Sequence, residues 1–476
     1  MSAPAPRVSG GPRADARDDL ALAVDRAAGA QPIPGNRLEH HADSPGILDA
    51  MVAQIAAARH RVHIENYIIR DDRTGRRFAA VLAEQAQAGL RVRVLYDAFG
   101  SLGTAHRYWR RLGEAGVEVR AFHPLLSGHP ADLVSRDHRK LLVTDGARAM
   151  VGGLCVGDEW AGDPERHRRP WRDTMVAVQG PAAAALDRAF ARMWRRAGDP
   201  LPPEEPTASA EPRGTSTARV VEGVPGRARV YRAVELLVAT AVSRLWITDA
   251  YLIPPAPLYA ALLDAAKGGV DVRLLVPGTS DLPVLRSFTR AGYRELLRAG
   301  VRIFEYLGPM LHAKTMLVDR RWARVGSSNL NVSSLLTNYE LDLVAECEEL
   351  TDELAAQFRR DLALSREIVL EARRVRLPAR LVGAPPAGAP LPADLPHRRS
   401  SYELGAVAVV ALRRVAGGLR RAVAATAALS LVGAGALLLA FPRIIGVVLA
   451  TGTFLLAFAF GAYALERRRT RESEDG

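Results

Sequence analysis

With 476 residues, 48% of them apolar and 24% charged, the chain is too apolar to be disordered and too long for one core, so two or three domains are expected. Two cysteines, Cys155 and Cys347, exclude a disulfide framework and a cysteine-rich zinc site. The formal net charge of +12 points to an anionic partner: nucleic acid, an anionic membrane or a phosphorylated substrate.

Residues 1–34 are rich in Ala, Pro, Gly, Arg and Asp without sustained periodicity and read as a flexible tail; they show no apolar signal-peptide core. Residues 47–58 have helical spacing and 62–69 (VHIENYII) read as a strand. Residues 78–88 read as a helix closed by Gly89, and 92–96 (VRVLY) as a strand. The same strand–helix–strand text returns at 245–251 (LWITDAY), at 258–266, closed by Gly268 and Gly269, and at 272–276 (VRLLV). Two α/β units of like layout are therefore expected, at 35–199 and 219–380, joined by a Pro-, Glu-, Ser- and Thr-rich solvated linker at 200–218.

A Pro-rich linker at 381–405 leads to a basic juxtamembrane stretch at 406–421 with Arg413, Arg414, Arg420 and Arg421. Within 422–465, Pro442-Arg443 separates two apolar runs, 422–441 and 444–465, each about the 20 residues a bilayer requires. Arg467, Arg468 and Arg469 follow in a charged tail, 466–476. Basic residues on both outer flanks predict a transmembrane helical hairpin with both ends in the cytoplasm. The alternative is a buried helical hairpin of a soluble domain, which the lack of a polar face in either run disfavours.

Residues 138–145 read HRKLLVTD and 312–319 read HAKTMLVD, both H-x-K-x-x-x-x-D. Fourteen residues after each His a small-residue turn opens: Gly152-Gly153 in one case, Gly326-Ser327-Ser328-Asn329 in the other. Among 64 basic residues only three are lysines, and two of these, Lys140 and Lys314, stand two places after the motif histidines. In an extended strand alternate residues share a face, so His138 points with Lys140 and His312 with Lys314. An imidazole beside an ammonium suits a phosphate. Two such pairs about a pseudo-twofold axis surround one phosphoryl group: one His attacks phosphorus, the other protonates the leaving oxygen, and the lysines offset charge on the remaining oxygens. A hydrogen-bonded core pair on each strand is the bland reading, and it leaves the matched placement of two scarce lysines unexplained.

These residues resemble the phospholipase D superfamily, whose signature is the doubled motif, and within it the bacterial cardiolipin synthases. The resemblance runs from about Gly35 to Arg374 and includes IENYII, VRVLYDAFGS, RDHRKLLVTDG, GGLCVGDEW, WRDTMVAVQGPAA, ITDAYLIPP and GSSNLNVSSLLTNYELDL. It implies two α/β sandwich units with pseudo-twofold symmetry in one chain, the active site at their interface, and no dimer needed to complete it. It also implies a covalent phosphohistidine, with His138 as nucleophile and His312 as acid and base. Lys140, Lys314, Asn329, Ser327 and Gly153 are expected around the phosphate oxygens. Asp173 and Glu340 match the family's acidic positions, each expected on the opposite half's His. Asp145 and Asp319 close the motifs and are expected to tie down the following turns. No metal or cofactor is expected. The sequence departs from the family where Cys155 replaces an Asn and Met175 replaces a frequent His; the Cys155 thiol is a weak donor and is expected as small core packing.

The motif does not choose between lipid and nucleic acid. The apolar runs and basic flank favour an anionic phospholipid surface in a bacterial inner membrane. The leading expectation is transfer of a phosphatidyl group from one phosphatidylglycerol to another, giving cardiolipin and glycerol. Alternatives are a membrane-bound phospholipase D, a phosphodiesterase acting on nucleic acid, and a non-catalytic lipid-binding scaffold. The phosphodiesterase reading lacks a basic, aromatic-studded loop, so no nucleic acid is expected; the scaffold would fit a decayed motif, and both motifs are intact.

Overall fold

Strands that read as near-continuous apolar runs are buried on both faces, and their order shows an internal repeat. The computed structural model describes residues 12–124, 134–205 and 209–370. The first half runs α1 (Pro12–Ala28), β1 (Ile33–His41), α2 (Ser44–Ala56), β2 (Arg61–Asn66), α3 (Arg73–Gln87), β3 (Arg91–Asp97), α4 (His106–Glu114), β4 (Glu118–Phe122), β5 (Lys140–Thr144), β6 (Arg148–Gly152), α5 (Asp158–Ala161), β7 (Met175–Gln179) and α6 (Pro181–Arg196). The second runs β8 (Ser216–Gly223), α7 (Arg229–Thr240), β9 (Arg244–Thr248), α8 (Ala256–Lys267), β10 (Asp271–Pro277), α9 (Pro283–Ala291), α10 (Tyr293–Arg298), β11 (Arg302–Tyr306), β12 (Thr315–Val318), β13 (Trp322–Gly326), β14 (Glu340–Glu346), α11 (Glu348–Ala363) and β15 (Ser365–Ile368).

The strand order is β1-β7-β6-β5-β2-β3-β4 in the first half and β8-β14-β13-β12-β9-β10-β11 in the second, with β15 on the outer edge. Each strand has its counterpart seven strands later. β1 and β8 pair antiparallel and join the halves into a 15-stranded mixed sheet. Leu186, Phe190 and Trp194 of α6, Leu354 and Phe358 of α11, and Leu141, Leu317 and Leu343 from the strands share one apolar cluster. Each such side chain contributes about 1.5–3 kcal/mol on burial, so the halves hold each other in register.

Three expectations need correction. The reading of 1–34 as a flexible tail fails for its second part: α1 covers Pro12–Ala28, buries Val24 and Ala28, and pairs Asp25 with Arg219. Its apolar face is made of Ala and Val, too weak a signal to register as amphipathic. The linker at 200–218 is not a solvated strap. Leu201 and Glu205 are buried, Glu205 accepts from Arg93 and lies 3.2 Å from His63 Nε2, and β8 already begins at Ser216. A glutamate in a Pro-rich stretch reads as exposed until its buried cationic partners are known. The strands expected at 62–69 and 245–251 end earlier, at Asn66 and Thr248, because the chain leaves the sheet to build loops beside the motif histidines.

Asp145 and Asp319 have φ of 55° and 54°, in the left-handed region. Asp145 accepts the backbone N–H groups of Arg59, His60 and Arg61, and Asp319 those of Val242, Ser243 and Arg244. Each therefore ties down the loop entering β2 or β9 in addition to closing its own turn. Asp145→Ala strands three donors and is expected to cost on the order of 2 kcal/mol. A lower melting midpoint with unchanged turnover per folded molecule is the expected result; lost turnover at an unchanged midpoint would give Asp145 a chemical role.

Contacts divide the chain into residues 1–415 and 416–476. The second unit, with the predicted hairpin at 422–465 and the charged tail, lies outside the described residues, as does the linker at 381–405. Among the described residues no helix is long and apolar enough to cross a membrane.

Candidate active site

β5 starts at Lys140 and β12 at Thr315, so both motif histidines lie just outside their strands, in the segments leading in. The opposite half pins these segments. The His138 N–H donates to the Tyr339 carbonyl at 2.9 Å, and the His312 N–H to the Arg172 carbonyl at 2.7 Å. Residue 339 precedes Glu340 and residue 172 precedes Asp173, so this exchange brings each carboxylate to the other half's His. His138 Nδ1 lies 3.1 Å from both Glu340 oxygens, and His312 Nδ1 2.7 Å from Asp173 Oδ2. With each Nδ1–H donated to a carboxylate, Nε2 keeps its lone pair for chemistry.

Both carboxylates are fully buried and are held by different donors. Glu340 accepts from the Ser327 hydroxyl at 2.5 Å and from the Ser334 hydroxyl. Asp173 accepts from the Trp160 indole at 2.9 Å and the Thr174 N–H at 2.8 Å. Lys140 and Lys314 are buried, and each ammonium donates to the carbonyl of its own motif His. Lys314 Nζ also lies 2.9 Å from His312 Nδ1, but that nitrogen's proton belongs to Asp173, so the carbonyl is the acceptor. Lys140 sits over the Tyr67 ring at 5.0 Å, and Tyr67 meets His138 edge-on at 4.8 Å between centroids. Tyr251 takes the matching place at 6.1 Å from His312.

Burial pushes the His138 imidazole below its ordinary value, Glu340 pulls it up, and Lys140 and Lys314 push it down. Burial and Lys314 push His312 down to about 4, against the pull of Asp173. Burial pushes Lys314 down to about 8. Burial works to raise Asp173, but His312, Lys314 and the Thr174 N–H outweigh it and hold that carboxyl at about 2. Near neutrality both rings are neutral and Asp173 is charged. Lys314 acts on His138 and Lys140 on His312, so the two motifs form one electrostatic unit.

The other expected phosphate ligands divide. Asn329 is buried and its side-chain oxygen has no hydrogen-bond partner; that oxygen accepts, so a contact to a phosphate oxygen would have to come from its Nδ2. Ser327 is spent on Glu340, and the Gly153 N–H on the Thr174 carbonyl. Gly153 matters for space: a Cβ there would overlap the Asp173 carboxylate. Gly153→Ala is expected to lower turnover about 100-fold, the scale of a 1 Å misplacement. Steady-state rates beside a thermal melt check this, and wild-type turnover would leave Asp173 without a positioning role.

The family described as cardiolipin synthase, PLD-like domain, matches residues 51–194 and 236–362. The chain is 36% identical over 348 residues to Cardiolipin synthase A of Pseudomonas aeruginosa, covering 72% of this chain and 70% of that protein. It is 37% identical over 331 residues to Cardiolipin synthase A of Pseudomonas fluorescens, covering 68% of each. The chain belongs to the cardiolipin synthase, PLD-like family. Its fold is shared with the crystal structure of phosphatidylserine synthase from Haemophilus influenzae, with a TM-score of 0.58 at 12% identity over 73% of this chain and 92% of that one.

Against this family's doubled pattern, Cys155 is fully buried in the apolar cluster of the first half, and burial pushes its thiol up. Met175 is fully buried in the same cluster. Several positioning groups escaped sequence reasoning. Arg139, fully buried, donates to the Glu340 carbonyl at 3.1 Å and to Glu222 at 2.7 Å, tying the first motif to the second half. Arg136 pairs with Asp97 at 2.9 Å, and Asp97 also accepts the Asp137 N–H. Trp160, Ser334, Tyr67 and Tyr251 complete the shell. The repeat of Tyr in IENYII and ITDAYLI was a usable signal for the last two.

Proposed function

We propose that the protein is a phosphatidyltransferase that makes cardiolipin and glycerol from two phosphatidylglycerol molecules. The observation that carries this reading is the reciprocal pairing of His138 with Glu340 and His312 with Asp173 across the two halves, in a chain of the cardiolipin synthase family.

In the first step His138 Nε2 attacks phosphorus and the bond to the glycerol oxygen breaks, with His312 protonating that oxygen. His312 is neutral in the free site, and the arriving phosphodiester anion raises its proton affinity. Glu340 offsets the positive charge that builds on the His138 ring. Lys140, Lys314 and Asn329 hold the phosphate oxygens. In the second step His312 takes the proton from the terminal hydroxyl of a second phosphatidylglycerol. That oxygen attacks phosphorus, the P–N bond breaks, and cardiolipin leaves. The apolar runs at 422–441 and 444–465 and their basic flanks support attachment to a bacterial cell membrane with both ends cytoplasmic.

Purified protein given headgroup-labelled phosphatidylglycerol should release one labelled glycerol per cardiolipin formed. Phosphatidic acid as the only lipid product would make the protein a hydrolase instead.

The pH profile follows from the charges. His138 must be neutral to attack, so the acid limb of kcat/KM lies below the ordinary His value. On the alkaline side two groups must hold their protons: His312, which gives its proton up above about 4 in the free site, sets a gradual decline, and the charge of Lys314 is lost in a further fall as pH rises through about 8. In Lys314→Arg the residual activity should lose the fall near 8. A fall that stays in place would assign it to another group.

A further inference from the structure

The motif histidines lie at one end of the sheet. β5 runs antiparallel to β2 with Lys140 opposite Asn66, so His138 stands beyond the C-terminal ends of the parallel strands β2, β3 and β4. His312 stands likewise beyond β9, β10 and β11. The loops leaving these strands carry large apolar side chains into solvent. Phe99 is 52% exposed and Leu102 64%, both after β3; Leu282 is 47% and Phe288 62%, after β10; Leu307 is 62% exposed, directly after β11. Leu364 is 57% exposed beside Leu307, whose N–H donates to its carbonyl. On α9 the sides of Leu285 and Thr289 face the Tyr251 loop, which leaves Phe288 pointing outward.

A cleft of about 780 Å³ is lined by both halves, with Gly103, next to Leu102, on the side of the first half and Leu307 and Pro309 on the side of the second. Its lining is mixed in charge, with four arginines, the exposed Arg168 and Arg169 among them, beside the carboxylates of Asp71, Asp72, Asp158, Glu159 and Asp163, and Trp171 forms part of its wall. The Trp171 ring is 5.8 Å from that of His312, so the cleft reaches the flank of the reacting pair.

Apolar tips at the end of the sheet that holds the reacting pair suit a bilayer interface, where they match the acyl boundary. The substrate also demands such a contact. A diacyl phospholipid does not leave the bilayer readily, and the His138 and His312 side chains are only 11% and 7% exposed. The mouth of the site must therefore come to the membrane.

We infer that Phe99, Leu102, Leu282, Phe288, Leu307 and Leu364 form a rim that inserts into the interface of a phospholipid bilayer. The rim orients the active site toward its lipid, a task that a chain anchor alone does not perform. This rests on the phosphatidyltransferase reading for its choice of substrate.

The test uses the full chain with Phe99→Asp, Phe288→Asp and both together. Each is assayed on long-chain phosphatidylglycerol in phosphatidylcholine vesicles and on short-chain phosphatidylglycerol dispersed as monomers. The double variant should lose about tenfold or more on vesicles and stay within about twofold of wild type on monomers. Unchanged turnover on vesicles would overturn the inference. So would equal losses on both substrates, which would make the residues part of the fold or the chemistry. A changed oligomeric state with intact vesicle turnover would assign the patch to a second copy of the chain and overturn it too. Wild-type protein that makes no cardiolipin from either substrate would instead defeat the functional reading.

Discussion

His138→Ala is expected to lower cardiolipin synthesis on the order of 10⁴-fold, the scale of losing a nucleophile or its partner from a coupled set. His312→Ala should cost as much with phosphatidylglycerol, for a different reason. The glycerol oxygen is a poor leaving group and needs a proton as the P–O bond breaks. The two variants separate when the donor carries a leaving group that needs no proton, such as nitrophenol. His312→Ala should then give a burst of nitrophenol close to one per enzyme, followed by a stall, because no base activates the acceptor. His138→Ala should give no burst. Chain order and family, not geometry, assign the two roles, since both rings have the same Nδ1–carboxylate arrangement. A burst from His138→Ala and none from His312→Ala would exchange the roles without touching the pair.

Glu340→Gln and Asp173→Asn should each lower turnover between about 10²- and 10⁴-fold. Glu340 receives three donors: His138 Nδ1–H and the Ser327 and Ser334 hydroxyls. A glutamine has one acceptor oxygen and a donating amide, so at least one serine hydroxyl must turn from donor to acceptor and the charge-assisted bonds are lost. The lost negative charge also removes the pull that raises the His138 value, whose ring is already below its ordinary range through burial. The acid limb of kcat/KM in Glu340→Gln should therefore move to lower pH while the plateau falls. A limb that moves up, or a plateau within about threefold of wild type, would deny Glu340 its electrostatic role. Combining Glu340→Gln with His138→Ala should add little to the His138 loss, because the two act as one unit.

The doubled motif made the reacting groups legible. A scarce residue type at two matched offsets needs no structure to be noticed, and the strand–helix–strand repeats around it located both halves. The supporting shell was not legible in the same way. Glu340 and Asp173 are held in equivalent places by unlike donors, two serine hydroxyls for one and an indole and a backbone N–H for the other. A search for repeats passes over such pairs. Arg139 occupies the middle of its motif where Ala313 stands in the second, so its tie to Glu340 has no copy to reveal it. The buried Glu205 and the small-residue face of α1 were hidden for a third reason. Polarity and weak periodicity describe a segment before it packs, and the partners that bury it, Arg93 in one case and α7 in the other, lie far away in sequence.

The central claim is that His138 and His312 share one phosphorus and that His138 holds it between the two steps. It is tested most directly by quenching the His312→Ala variant after reaction with the nitrophenyl donor and mapping the modified peptide by mass spectrometry. The phosphatidyl group should be on His138, stable to base and labile to acid. An adduct on any other residue, or full turnover with no adduct at all, would contradict it.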